Sequence, residues 1–225
     1  MKKIICMLVL GALAAASQAE LITIRGDSAD QVRRSDGTGG SVANATSRMG
    51  NDTAVGGIYS AWVIPFLLPD IGSDTISAAS IHTFVEKTAA DLNVPGVSLD
   101  LLGVRVSASK TVLSTDYQGT VVGDNLYSLT GPVALGSYEF ASAGLATYLQ
   151  SIYDNDPNAA GKYVFLTITP DSVLAKYKYI DFTSASGSVS SNRPELWLTI
   201  PEPATVGMLG LGTLVTLLIR RLRTR

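Results

Sequence analysis

Val97-Ser98-Leu99-Asp100-Leu101-Leu102-Gly103-Val104-Arg105-Val106 decides the fold class. Val97, Leu99 and Leu101 recur at every second position, a spacing that puts them on one face of an extended chain. Leu102, Val104 and Val106 continue the alternation in the opposite phase. One extra residue near Leu101-Leu102-Gly103 therefore predicts a β-bulge. The two-residue period returns on both sides of this stretch. Ile81, Thr83 and Val85 oppose His82 and Phe84 within Ile76–Val85. Val164, Leu166 and Ile168 oppose Tyr163, Phe165 and Thr167, and Leu196, Leu198 and Ile200 oppose Trp197 and Thr199. These are strands by period and by β-branched and aromatic content.

Gly, Asn, Asp and Ser cluster between the strands, as turns require. Gly37–Asn51 and Ser184–Ser191 read as surface loops. One helical pattern stands out: Leu145, Tyr148, Leu149 and Ile152 fall at i, i+3, i+4 and i+7, with Ser142 placed as N-cap. Many short strands with one short helix predict an all-β domain, a jelly-roll-like β-sandwich. Trp62 and Trp197, both in strongly apolar strands, are assigned to its core.

The two ends of the 225-residue chain are apolar in a way the middle is not. Met1-Lys2-Lys3 is basic, Ile4–Ala16 is apolar, and Ser17-Gln18-Ala19 is a small-x-small site. This is the pattern of a secretory signal peptide, residues 1–19, cut between Ala19 and Glu20. At the far end Pro201-Glu202-Pro203 precedes Ala204–Ile219, sixteen residues without a charge, and then a basic tail, residues 220–225. At 1.5 Å per residue the apolar run makes a helix of about 24 Å, somewhat short of a hydrocarbon core of roughly 30 Å. Arg220, Arg221, Arg223 and Arg225 can snorkel to the headgroups and stop the span on the cytoplasmic side. The expected organisation is a signal helix, a domain over residues 20–200, and a tag over residues 201–225 with a transmembrane helix at 204–219. The implied partners are the Sec machinery and, through the C-terminal helix, the membrane.

The tripeptide Pro201-Glu202-Pro203, the short apolar run and the terminal arginine cluster together resemble the PEP-CTERM sorting signal. The resemblance implies recognition by an exosortase, a membrane-embedded cysteine protease or transpeptidase, with cleavage near Pro201–Pro203. The domain would be anchored transiently in the inner membrane, outside the cytoplasm, and then moved to the cell surface or extracellular matrix of a biofilm-forming cell. Ala29-Asp30-Gln31-Val32-Arg33, Trp62–Leu68 with Ile76–Ile81, and Ser191-Asn192-Arg193-Pro194-Glu195-Leu196 resemble the strands of the DNRLRE-type, carbohydrate-binding-module-like jelly roll. Pro65 stands where that family's pattern has a polar residue. This second resemblance implies glycan binding or matrix association without catalysis.

Composition excludes several function classes. Residues 20–200 hold 11 basic against 18 acidic residues, a net charge of −7, which repels nucleic acid. The only cysteine, Cys6, lies in the signal segment, so the exported domain has no disulfide and no thiol chemistry. His82 is the only histidine, and no G-x-S-x-G elbow accompanies any serine, which argues against a hydrolase triad. No cofactor is expected. Asp154, Asp156 and Asn158 have calcium-like spacing, but Ala159 and Phe165 stand where an EF-hand needs glycine and glutamate, so an ordinary turn is expected there. Tyr177 and Tyr179 share one strand face and are the candidate glycan contacts.

Three readings follow: a non-enzymatic surface or matrix domain that binds polysaccharide, a carbohydrate-active hydrolase using two aspartates, and a structural matrix component without a ligand. A hydrolase needs only two carboxylates at the right separation. Most aspartates lie in turn-like contexts, which favours the first reading.

Overall fold

Among the described residues the most apolar strand is also the most deeply buried. Ser60–Leu67 (β5) is buried at every position but the last, as a strand covered on both faces must be. A computed structural model describes residues 19–34, 40–42, 46–51, 60–88, 99–117, 123–129, 135–170 and 178–201. The signal segment, the apolar run at 204–219, the arginine tail and Tyr177 lie outside the described residues. Among the described residues no helix is long and apolar enough to cross a membrane.

The remaining strands are Glu20–Arg25 (β1), Gln31–Arg34 (β2), Gly40–Val42 (β3), Thr46–Asn51 (β4), Ala78–Thr88 (β6), Leu99–Ser107 (β7), Gly123–Leu129 (β8), Gly136–Ala141 (β9), Tyr163–Pro170 (β10), Lys178–Thr183 (β11) and Glu195–Ile200 (β12). One helix, Ala143–Asn155 (α1), lies among them. All the strand pairs are antiparallel, and they link into a curled sheet of order β1-β12-β6-β11-β4-β5-β10-β7-β8. Strand β2 joins at β5, β3 at β2, and β9 at the free side of β6. The described residues are thus mostly β-strand with one short α-helix.

The main core lies on one face of the sheet. It gathers Trp62, Ile64 and Phe66 of β5, Ile81 and Val85 of β6, Leu99 and Leu101 of β7, Val164, Leu166 and Ile168 of β10, and Leu196, Leu198 and Ile200 of β12. Helix α1 closes it, packing on β6 and β8. Its buried residues are Leu145, Ala146, Tyr148, Leu149 and Ile152, the stripe that the sequence spacing predicts. Ser142 caps the helix by accepting from the Leu145 N–H at 3.0 Å, and its hydroxyl donates to the Leu126 carbonyl. A smaller cluster of Val63, Val104, Val112 and Phe165 covers the opposite face of β5, β7 and β10.

The expected bulge is present, slightly further along. Gly103 pairs with Leu166 and Arg105 with Phe165, which leaves Val104 as the extra residue. The β7–β8 ladder also shifts between Leu101 and Gly103. Val104 therefore faces the small cluster while Val106 packs on the main core. The sequence period had placed them together. A Cβ on Gly103 would lie 2.3 Å from Tyr148 Cζ, so glycine is what lets α1 approach the bulge.

Two expectations are corrected. Gly37–Asn51 is not simply a loop: it contains β3 and β4, and β4 sits inside the sheet between β11 and β5 with Met49 1% exposed. Backbone pairing to neighbouring strands overrides its small, polar composition. Trp62 is a core residue, stacked on Phe182 at 5.5 Å, but Trp197 is not. Its position alternates with Leu196 and Leu198, which puts it half-buried on the outer face.

Candidate functional cleft

Strands β11 and β12 run one after the other along the same side of β6. Ile180–Phe182 lie beside Thr88–Val85, and Glu195–Thr199 beside His82–Ala78. The intervening segment, residues 184–194, must leave the sheet between them. It is rooted by the Ala185 N–H on Asp30 Oδ2 at 3.2 Å and by the Gly26 N–H on the Pro194 carbonyl at 2.9 Å. Arg193 Nε closes it on the Gly187 carbonyl at 2.8 Å.

Strand β9 pairs with the other side of β6. The loop and β9 stand on either side of His82, and together they form a cleft of about 370 Å³. His82, Phe84, Tyr138 and Trp197 supply rings to it, and Glu139, Glu195 and Arg193 supply charge. The register explains the juxtaposition. His82 is paired with Glu139 on β9 and with Glu195 on β12, and Glu195 is paired in turn with Arg25 on β1. Four residues from four strands thus form one row across the outer face.

Contacts within the row are direct. His82 Nε2 lies 2.9 Å from Ser80 Oγ and 3.5 Å from Glu139 Oε1, an ion pair only when the imidazole is protonated. The His82 ring stacks on Trp197 with centroids 3.8 Å apart. Trp197 Nε1 donates to Glu195 Oε2 at 3.0 Å, and Arg25 Nε lies 3.5 Å from Glu195 Oε1. His82 and Trp197 are each held by neighbours, so the cleft presents a stacked aromatic pair with carboxylate acceptors at its rim.

The residues singled out from the sequence are distributed elsewhere. Arg48 lies over the Tyr179 ring, 3.9 Å from its centroid, and also forks onto Asp181 at 2.8 and 3.0 Å. One face of Tyr179 is therefore already occupied. Asp154 lies in the last turn of α1, and Asp156 and Asn158 follow at its C-cap and in the turn beyond. Asp154 accepts from Gln150 at 2.8 Å, and Asp156 from Lys162 at 2.5 Å and from the Asn158 N–H at 3.0 Å. The Lys162 bond holds the Asp156 carboxyl below the usual range. Among the described residues no cluster of three or more His, Cys, Asp or Glu is arranged for a metal. Pro201 is exposed directly after β12, Ala19 precedes β1, and Glu20 is the first residue of that strand. Glu202 and Pro203 lie outside the described residues.

The strand reading named His82 and Trp197 but did not bring Glu139 and Glu195 to them. Glu195 shares a face of β12 with Trp197, as the two-residue period implies, but His82 and Glu139 come from two other strands, and pairing partners leave no local mark on a single sequence.

A search among curated proteins finds no match to the chain. Residues 199–223, which include the tripeptide next to β12, match the PEP-CTERM protein-sorting motif: the chain carries a signal that implies recognition by an exosortase, export, and membrane-associated sorting.

Proposed function

We propose that this exported, exosortase-sorted protein is a non-catalytic cell-surface or matrix component. In this reading its jelly-roll-like sandwich binds polysaccharide in the cleft between β9 and the residue 184–194 loop. The observation that carries it is the convergence of aromatic faces with carboxylate and guanidinium tips around His82. Sugar rings offer C–H faces that pack on aromatic rings and hydroxyls that donate to carboxylates, so such a lining complements them. The cleft is at the small end of ligand sites, which run from roughly 300 to 1,000 Å³. That suits a short stretch of a chain whose affinity would come from many copies on one polymer.

The test is calorimetric titration of the exported protein with oligosaccharides from the producing cell's own exopolysaccharide. Trp197→Ala should weaken binding by about tenfold, since one lost aromatic contact of this kind is worth about 1 kcal/mol or more. The protein should stay folded, because Trp197 is outside the core. Tyr179→Ala should have little effect. Equal affinity in Trp197→Ala and Glu139→Gln would refute the assignment of the cleft. Steady release of new reducing ends would instead favour a hydrolase.

A further inference from the structure

The sorting motif and the folded domain share residues. The matched segment begins at Thr199, and Thr199 and Ile200 are the last two residues of β12. Thr199 is paired with Leu21 of β1 on one side and with Ala78 of β6 on the other. Its carbonyl accepts from both the N–H and the hydroxyl of Ser77, at 2.9 and 3.0 Å. Ile200 is paired with Glu20 and is 3% exposed within the main core. Pro201 has no N–H to continue the ladder, and it is exposed. No spacer separates the sheet from the tripeptide.

A peptidase takes its substrate as an extended segment, and backbone already paired in a sheet becomes available only when the ladder opens. Thr199 is paired on both sides, and Ile200 on the β1 side alone. Of the two neighbours, β1 is the one that can leave. It is the edge strand of the sheet, and Leu21, Thr23 and Arg25 are exposed along it. It can open by breaking one ladder, and segments with few buried side chains open at the lowest free energy.

We propose that β1 is a clamp on the sorting motif. It holds Thr199 and Ile200 in the sheet, so that the exosortase severs the chain on the C-terminal side of Ile200, at a rate set by opening of the β1–β12 end. The cut breaks one peptide C–N bond. Water gives its hydroxyl to the carbonyl carbon and its proton to the departing amine, or an amine acceptor takes the acyl group and yields its proton in the same way. The retained domain keeps all of β12, and Ile200 stays in the core. This rests on the motif match and the strand register, not on the cleft, so the clamp and the polysaccharide reading can fail separately.

The test uses the full chain in cells that contain the exosortase. Leu21→Cys with Thr199→Cys places two thiols at register partners, where antiparallel Cα atoms lie about 4.5–5.5 Å apart, within disulfide reach. The exported domain has no other cysteine to interfere. In pulse-chase the oxidised lock should slow conversion of precursor to processed protein by about tenfold, and reductant should restore it. A spacer of about eight Gly/Ser residues between Ile200 and Pro201 should speed conversion and remove the effect of the lock. Intact mass should place the new C-terminus of the unaltered protein at or beyond Ile200. Conversion at the normal rate in the oxidised lock, slowing that reductant does not lift, a spacer that leaves the lock effective, or a C-terminus before Ile200 would each overturn the proposal.

Discussion

Asp30 makes the exported domain more stable in mild acid than at neutral pH. Its carboxyl is fully buried. Oδ2 accepts from Trp62 Nε1 at 2.8 Å, Ser47 Oγ at 3.3 Å and the Ala185 N–H at 3.2 Å, while Oδ1 has no partner. Burial outweighs those donors and pushes the carboxyl from 3.8 up to about 6, with a smaller push from Asp27. The folded protein therefore binds this proton more tightly than the unfolded chain. The stabilisation is complete below pH 3.8, is lost as pH rises through 6, and does not change above that. The whole shift corresponds to about 3 kcal/mol, of which about 2 kcal/mol falls between pH 4.5 and pH 7.5. Urea unfolding followed by tryptophan fluorescence reads this as a midpoint about 1 M higher at the lower pH, for a slope of about 2 kcal/mol/M. Asp30→Asn supplies the reference. It keeps an oxygen for the three donors and cannot titrate, although its amide costs about 1–3 kcal/mol at every pH if it finds no acceptor. Other groups cancel in the subtraction, including Asp156, whose lowered pKa acts in the opposite direction. A difference between wild type and Asp30→Asn that stays constant from pH 4.5 to 7.5 would refute the reasoning.

Two further substitutions probe the fold that carries the cleft. Gly103→Ala drives a methyl to 2.3 Å from Tyr148 Cζ and 2.5 Å from Cε1, so it should cost about 1–3 kcal/mol. Calorimetry should show a fall in Tm of several degrees, and Gly103→Ala with Tyr148→Leu should recover part of it. Asp116 is buried, takes Arg105 on both oxygens at 2.6 and 2.9 Å, and accepts from the Leu113 N–H at 2.7 Å. Asp116→Ala leaves the guanidinium over Phe165 without its counter-charge and should cost about 3 kcal/mol by chemical denaturation, whereas Arg25→Ala on the surface should cost well under 1 kcal/mol.

Strands whose side chains alternate between core and solvent were legible, because the pleat writes its period into the sequence. Leu196, Leu198 and Ile200 are all buried, as that period requires. The helix was legible for the same reason, down to its Ser142 cap. Strand β4 was not, since Thr46–Asn51 is held by register with Lys178–Thr183 rather than by apolar content of its own. Trp197 lies outside the core because parity outweighs residue type: it shares a face with Glu195 and Thr199, not with Leu198. The cleft was the least legible feature. Its acids and its histidine lie at positions 82, 139 and 195 and meet only through two ladders. Nothing in the local sequence of Gly136–Ala141 marks Glu139 as a neighbour of His82.

Strand β12 shows how closely the separate tasks of this chain are joined. Leu196, Leu198 and Ile200 point into the main core. Glu195 and Trp197 point into the cleft, and Thr199 and Ile200 open the segment matched by the sorting motif. The pleat keeps the first two tasks apart, since adjacent residues face opposite sides of the sheet. A change at 196 or 198 should act through stability, and one at 195 or 197 through the cleft. Ile200 is the exception. It is a core residue and the last residue before the tripeptide, so trimming the chain there would remove apolar burial worth about 2 kcal/mol or more. The folded domain loses little if the cut leaves β12 whole, and part of its core if the cut falls within it. The edge position of β1 reconciles the two needs: it pairs with Ile200 in the folded domain, and it is the neighbour that can open without breaking the ladder between β12 and β6.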